Sequence, residues 1–303
     1  MPDWIEGDAL AHGVRLHYYR TGGDRAPTPN HPASAPQGEA ERVKPVEGSA
    51  WEPDKPSVVL LHGMTDNALC WRRVAQRLEP DYDVLMLDAR GHGQSDAPPS
   101  GYTAEDHAPD VAGLIDALGL NRPVLVGHSM GAATAAATAA HFPEHVRALI
   151  LEDPPWGRTI EVLTDEQRRA RIADWRAGIL KRKTQSLAEI AAYGRHHNPT
   201  WDESEFEDWA MSKQQTSPLI AGDIAGRGVR WQDVMRLVRC PVLLITADPE
   251  RNAIVRPETV AEAQALCPTL TTVHIAGAGH NIRREQFEPF MQAVSAYLMG
   301  CGA

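Results

Sequence analysis

The sequence lacks the features that mark several common classes of protein. Its four cysteines are far apart in 303 residues and form no C-x-x-C pair, which favours reduced thiols in a cytosolic protein over a disulfide framework. The longest weakly polar run, Ala132–Ala140, is too short and too rich in alanine to span a bilayer. These absences argue against a disulfide-bonded secreted module and against an integral membrane protein.

Positive charge is also in deficit. The 30 Lys and Arg residues are outnumbered by 40 Asp and Glu, giving a net charge of −10. An acidic surface is not attracted to nucleic acid or to an anionic membrane, so neither is expected as a partner. The N-terminal residues contain no basic segment followed by an apolar one, so we expect no signal peptide and a cytoplasmic location. The oligomeric state, including a homodimer, stays open.

Metal and nucleotide motifs are missing as well. His196 and His197 are adjacent on a predicted helix, so they face different directions and make a poor ligand pair. The loop around Gly91 and Gly93 lacks the lysine and the spacing of a phosphate-binding loop, and no G-x-G-x-x-G is present. We therefore expect no metal, no cofactor and a small-molecule substrate.

What the sequence does contain is a series of short apolar runs alternating with helical patterns. Residues 4–21 alternate like a β-hairpin, and later apolar runs predict six buried strands, at 57–63, 82–88, 124–127, 146–151, 241–246 and 270–275. Strands that alternate with helices predict an α/β fold with a doubly wound, mostly parallel eight-stranded sheet. Ligands of such sheets bind at the carboxyl ends of the strands.

Two stretches depart from this alternation. Residues 22–56 contain seven prolines and read as an irregular surface insert in the first part of the core, residues 1–155. Residues 156–238 carry helical patterns, no strand signal and five of the eight tryptophans, which predicts an inserted helical cap before the second part of the core, residues 239–303. Exposed tryptophans are costly, so we expect them to face inward and form the wall of an apolar pocket, with Trp156 the first choice for contact with substrate.

The central motif is Gly127-His-Ser129-Met-Gly131, between a predicted strand and an alanine-rich helix. A turn of this kind presents the serine above the sheet, beside a helix N-terminus that favours developing negative charge. Ser129 is therefore the candidate nucleophile, and it needs a general base. His280, in a glycine-rich loop after the last strand, is the candidate base, whereas His128 is assigned to packing or to a hydrogen bond.

A serine nucleophile also requires N–H groups that stabilise the oxyanion. The amide of Met130, which follows the nucleophile, is one candidate. The second is the amide of Met64 in the turn His62-Gly63-Met64, which follows the first buried strand. His62 is assigned, with Trp156, to substrate binding.

These motifs, together with Asp88-Ala-Arg-Gly-His-Gly-Gln-Ser95 and Gly277-Ala-Gly-His280, resemble those of cap-containing members of the α/β-hydrolase superfamily, in the esterase, lactonase and C–C hydrolase branch. The resemblance covers residues 4–21 and 57–300. It implies that Ser129 attacks a carbonyl, that His280 relays the proton and that water hydrolyses an acyl-enzyme. Relatives with an aspartate nucleophile, such as haloalkane dehalogenases and epoxide hydrolases, are disfavoured because this position is serine.

The resemblance leaves the acid of the triad open. Asp248 follows the strand at 241–246, which is the usual place in the family, and it is the first choice. Some relatives take the acid from the end of the preceding strand, where Asp153 stands as the alternative. Glu250 and Glu152 stay open as well.

The leading functional hypothesis is a cofactor-free serine hydrolase of small-to-medium apolar carboxylic esters or lactones. One alternative is hydrolysis of a C–C bond in β-diketone-like substrates, which uses the same triad. The other is a non-catalytic binding module on the hydrolase scaffold.

Overall fold

The computed structural model describes residues 4–21, 55–157, 163–224 and 230–301. The predicted irregular insert at 22–56 lies outside the described residues except for Lys55 and Pro56.

The core of the structure is one eight-stranded sheet, which confirms the predicted fold class. Its strands are β1 Ile5–Ala11, β2 Val14–Arg20, β3 Ser57–Leu61, β4 Asp83–Leu87, β5 Val124–His128, β6 Ala148–Glu152, β7 Val242–Thr246 and β8 Leu270–His274. The order across the sheet is β1-β2-β4-β3-β5-β6-β7-β8. The β1–β2 hairpin is antiparallel and β2 pairs antiparallel with β4, whereas all later pairs are parallel.

Eleven α-helices lie in the described parts of the chain. Six of them belong to the core with the sheet: α1 Arg72–Leu78, α2 Ala104–Ala117, α3 Met130–His141, α9 Pro257–Leu266, α10 Ile282–Glu285 and α11 Phe287–Gly300. The other five lie between β6 and β7: α4 Asp165–Lys183, α5 Leu187–His197, α6 Glu205–Gln215, α7 Ala221–Ile224 and α8 Trp231–Met235. Local sequence explains several helix starts. Thr103, Thr164 and Ser186 each form a capping box with the residue three positions later.

The central strands are buried on both faces because helices cover both sides of the sheet. On β3, Val59 and Leu61 pack with residues of α2 and α3, while Val58 and Leu60 pack on the other side with residues such as Trp71 and Phe290. This explains why β3 to β7 read as continuous apolar runs rather than as alternating patterns. Because these strands are parallel, their carboxyl ends lie at the same edge of the sheet.

The helices between β6 and β7, hereafter the helical insert, are tied to the loop that follows β3. Arg72 makes two hydrogen bonds to Asp208 of α6, of 2.6 and 2.9 Å. Asn67 donates to Gln215 at 2.8 Å. Asn67 lies in the loop after β3 and Arg72 is the first residue of α1, so these contacts hold α6 over the edge of the sheet where the motifs converge.

Candidate active site

Ser129 lies at the sharp turn between β5 and α3, in a backbone conformation that serine rarely adopts. Its φ is +51° and its ψ is −114°. The flanking glycines are required by close contacts: a Cβ atom on Gly127 would lie 2.3 Å from the Gly131 carbonyl oxygen, and one on Gly131 would lie 2.1 Å from the Leu61 carbonyl oxygen. The turn therefore holds Ser129 in a strained position, and Ser129 lines a large cavity.

His280 lines the same cavity and contacts a buried carboxylate. Its Nδ1 lies 2.6 Å from Oδ2 of Asp153, which is fully buried directly after β6. The same carboxylate accepts hydrogen bonds from the backbone N–H groups of Ile254 (2.9 and 3.1 Å) and Val255 (2.9 Å). A carboxylate held by these donors keeps the imidazole in one orientation, with its second nitrogen available to a nucleophile.

The first choice for the acid, Asp248, is wrong as a partner of His280. Asp248 instead lies 3.0 Å from Nε2 of His274 and accepts the Gly277 N–H at 2.7 Å. Its backbone N–H donates to the Ala278 carbonyl at 3.0 Å. The hydrogen bond from Gly277 lowers the pKa of Asp248. Asp248 thus fastens the loop that leads to His280.

The two glutamates left open as acids do not contact His280 either. Glu152 is fully buried and accepts hydrogen bonds from the backbone N–H (2.9 Å) and Nη1 (3.1 Å) of Arg283. Burial raises the pKa of Glu152. Glu250 is exposed in the short turn Pro249–Arg251. Asp153, the alternative acid, is the one that the fold brings to His280.

His128, which the sequence assigns to packing or to a hydrogen bond, supports the loop that carries His280. Its Nε2 lies 2.9 Å from the His280 carbonyl oxygen, so this nitrogen carries the proton and donates. Burial lowers the pKa of His128 well below its usual value, which keeps the ring neutral.

The two candidate oxyanion donors flank Ser129. Met130 is the first residue of α3, where an N–H has no acceptor within the helix. Met64 lies in a tight turn closed by a 3.0 Å hydrogen bond from the Asp66 N–H to the Gly63 carbonyl. A Cβ on Gly63 would lie 3.5 Å from the Ser129 Cβ, which shows how closely this turn approaches Ser129. Both Met64 and Met130 line the cavity.

The assignment of His62 to substrate binding is wrong. His62 is 1% exposed, and the large cavity is lined without it. Its Nε2 accepts the Ala89 N–H at 3.0 Å, so Nδ1 carries the proton and donates to the Gly63 carbonyl at 2.8 Å. Burial lowers its pKa. His62 therefore shapes the loop after β3 as a neutral, fully bonded ring.

The cavity over Ser129 has a volume of about 1150 Å³ and lies between the strand ends and the helical insert. All five tryptophans of the predicted cap line it: Trp156, Trp175, Trp201, Trp209 and Trp231. Trp156 stacks on Trp231 with ring centroids 4.9 Å apart. Because Trp156 is only 2% exposed and belongs to the core cluster, it also packs the insert against the core.

Sequence reasoning missed a group of buried ion pairs beside this cavity. Asp66 lies within 3.4 Å of Lys213, Arg283 and Arg284. Arg283 and Arg284 also pair with Glu152 and Glu205, respectively. The only available signal was the pair of arginines just after the His280 loop, and their burial cannot be read from local pattern. The group holds three positive and three negative side chains, so it is electrically balanced.

Within the described ranges, no three His, Cys, Asp or Glu side chains come together as a metal site would require. Among the same residues, no helix is both long and apolar enough to cross a membrane.

Comparison with known proteins gives concordant results. The family model for the alpha/beta hydrolase fold matches residues 56–283. A 2-(acetamidomethylene)succinate hydrolase of Mesorhizobium japonicum is 30% identical over 254 residues, which cover 80% of this chain and 88% of that enzyme. An N-formylmaleamate deformylase of Pseudomonas putida is 27% identical over 300 residues, 96% of each chain. The crystal structure of an E-2-(acetamidomethylene)succinate hydrolase superposes with a TM-score of 0.72 at 24% identity, covering 97% of this chain and 99% of that one.

Proposed function

Because the chain belongs to the alpha/beta hydrolase fold family, we propose that it is a serine hydrolase whose catalytic triad is Ser129, His280 and Asp153. The observation that carries the proposal is the 2.6 Å contact between His280 and the buried Asp153, at the edge of the cavity that Ser129 also lines. This is the constellation that activates a serine hydroxyl.

In the proposed mechanism, His280 removes the proton from the Ser129 hydroxyl as its oxygen attacks a carbonyl carbon. Asp153 orients the imidazole and stabilises the positive charge that it acquires. The N–H groups of Met64 and Met130 bind the developing oxyanion. His280 then protonates the leaving group, and water hydrolyses the acyl-enzyme by the same steps.

In this proposal residues 156–238, which contain the helical insert, form a cap that excludes water and binds the substrate. The five tryptophans and the size of the cavity favour a small-to-medium apolar carboxylic ester or lactone. Trp231 supplies an apolar wall for the acyl or ring portion, and the nearly buried Trp156 supports it by stacking on its ring.

The relatives favour a second candidate, hydrolysis of an N-acyl bond in a small carboxylic acid. Their names describe enzymes that act on an acetamido compound and on an N-formyl compound. Arg230, an exposed residue, lines the cavity beside its aromatic walls, so the cavity presents a cationic group as well. A Ser-His-Asp triad can hydrolyse both esters and amides. The two candidate functions therefore use the same catalytic residues and differ only in the substrate.

Replacement of the nucleophile tests the proposal. We expect Ser129→Ala to lower kcat by about 10⁴-fold or more, because the hydroxyl is the attacking group. The measurement uses a panel of p-nitrophenyl esters, lactones, N-acyl amino acids and a β-diketone, together with labelling by a fluorophosphonate probe.

The control variant is Ser100→Ala, which changes an exposed serine that does not line the cavity. It should keep wild-type rates and wild-type labelling. Activity above a few per cent of wild type in Ser129→Ala would contradict the assignment, and the absence of labelling of the wild-type protein would favour a binding module.

A further inference from the structure

The turn that carries Met64 contains a residue in an unfavourable conformation. Thr65, the third residue of the turn Gly63–Asp66, has a φ of +64°. Turns of this shape normally have glycine at that position, because a β-branched side chain there meets steric conflict. Such a conformation persists only where surrounding contacts over-determine it.

The contacts that hold Thr65 come from the helical insert. Nζ of Lys213, near the end of α6, lies 2.9 Å from the Thr65 carbonyl oxygen and 3.1 Å from its Oγ1. The same Nζ lies 2.8 Å from Oδ1 of Asp66. An ammonium group has three N–H donors, so Lys213 directs all three at the turn and none at a substrate.

The environment of Lys213 makes these bonds strong. Its side chain is 10% exposed, and Nζ lies 4.9 Å from the centre of the Trp209 ring. Hydrogen bonds between charged groups strengthen where water is excluded. The hydroxyl of Thr216, just after α6, donates to the Ser212 carbonyl at 2.9 Å and so leaves the Thr65 carbonyl to Lys213.

We propose that Lys213 is a positioning residue that holds the strained turn so that the Met64 N–H faces the oxyanion. The proposal rests on the proposed function above, in which this N–H is one of two oxyanion donors. It means that the helical insert completes the catalytic machinery of the core in addition to covering it. The hole is formed correctly only while α6 is seated on the loop after β3.

Loss of Lys213 should release the turn without unfolding the protein. Asp66 keeps its contacts with Arg283 (3.4 Å) and Arg284 (3.1 Å), so its charge does not become unpaired. Burial alone would raise the pKa of Asp66, but Arg284, Lys213 and Arg283 outweigh it and hold the pKa well below the usual range. The turn would then relax from the conformation that Thr65 disfavours.

The first test is Lys213→Met, with p-nitrophenyl acetate as a substrate too small to need the rest of the cavity. Loss of one oxyanion donor in other enzymes costs about 10²–10³ in kcat, so a displaced donor should cost about 10- to 100-fold. Because the interaction belongs to the transition state, kcat and kcat/KM should fall together, with KM within about threefold of wild type. Rates are normalised to the number of sites labelled by a fluorophosphonate, which removes any unfolded fraction.

The matched control is Lys181→Met, which makes the same chemical change at an exposed lysine of α4. It should leave kcat unchanged. Lys213→Arg retains a charged donor and should recover part of the loss. An unchanged kcat in Lys213→Met, or a change in KM alone, would overturn the proposal.

A double-mutant cycle with Thr65→Gly isolates the cause. Glycine tolerates the positive φ, so in that background the turn depends less on Lys213, and Lys213→Met should cost less than about threefold relative to Thr65→Gly itself. Equal losses in both backgrounds would show that Lys213 does not act through the strained turn. This outcome differs from failure of the proposed function. If the proposed function is wrong, Ser129→Ala retains activity, whatever the effect of Lys213→Met.

Discussion

At the scale of single residues, two aspartates at neighbouring strand ends occupy similar positions but differ in environment. Asp153 is fully buried and contacts His280, which is 25% exposed at the cavity. Asp248 is 27% exposed and contacts His274, which is 53% exposed. Both are Asp–His pairs, but the buried one alone has its imidazole in the cavity that Ser129 lines.

This difference gives a paired prediction. Asp153→Asn should lower kcat by about 10⁴-fold, because an amide cannot stabilise the imidazolium and favours the wrong tautomer. Asp248→Asn should change kcat by less than about tenfold, because an amide oxygen still accepts the Gly277 N–H. Steady-state kinetics of the two variants on one ester, with circular dichroism as the check on folding, makes the comparison. Equal losses in the two variants would refute the assignment of the acid.

At the scale of elements, the helices of the insert differ in how closely they pack against their neighbours. A glycine in α4 and a glycine in α5 show the difference. In α4, Ile179 is the one buried residue, and a Cβ on the adjacent Gly178 would meet no atom within 4 Å. In α5, a Cβ on Gly194 would lie 2.7 Å from the Trp209 ring and 3.1 Å from Phe206. One glycine faces open space, while the other permits close packing of α5 against α6.

The same substitution should therefore have opposite effects at these two positions. Gly178→Ala should raise the free energy of unfolding by about 0.5–1 kcal/mol, because alanine is the better helix former and nothing obstructs it. Gly194→Ala should lower the free energy of unfolding by about 1–3 kcal/mol, because the ring of Trp209 must shift. Urea denaturation followed by tryptophan fluorescence measures both. Destabilisation by Gly178→Ala would mean that α4 packs differently.

At the scale of the whole molecule, stability should depend on buried histidines that stay neutral. Burial lowers the pKa of His62, His92 and His128, and it lowers that of His107 to about 3. In the unfolded chain these groups protonate near pH 6.5, so below that pH the unfolded state binds more protons than the folded state. The contribution of these neutral histidines to the free energy of unfolding is therefore fully present above about pH 7, and it decreases as the pH falls.

We expect the free energy of unfolding to fall between pH 7.5 and 5.5 by on the order of 1 kcal/mol for each such histidine. The measurements stop at pH 5.5 because burial raises the pKa values of Asp88, Asp110 and Glu152. At lower pH these carboxyl groups take up protons more readily in the folded state, which opposes the effect of the histidines on the free energy of unfolding. Urea denaturation at several pH values gives the slope. His107→Gln should flatten that slope by about one proton, and an unchanged slope would contradict the account.

Local sequence determined most of the architecture and part of the candidate site. Apolar runs of five residues, bounded by glycine, proline and polar residues, were sufficient to place β3 to β7, because a strand buried on both faces has a strong local signature. The turn around Ser129 was equally readable, since its glycines are required by contacts within a few residues and with the adjacent strand. The inward direction of the tryptophans followed from the cost of exposing them.

Tertiary structure alone decided which charged and polar groups meet. Asp153 and His280 are 127 residues apart, and Lys213 and Thr65 are 148 residues apart. Whether a carboxylate reaches an imidazole depends on loop positions to within about 1 Å, and no periodicity or turn signal encodes that distance. His62 shows the same limit: its place after a strand suggested a role in binding, but burial and its two hydrogen bonds make it part of the scaffold. Covalent neighbours and burial preferences act locally and can be read from the chain, whereas hydrogen bonds between distant side chains are settled only when the whole fold brings them together.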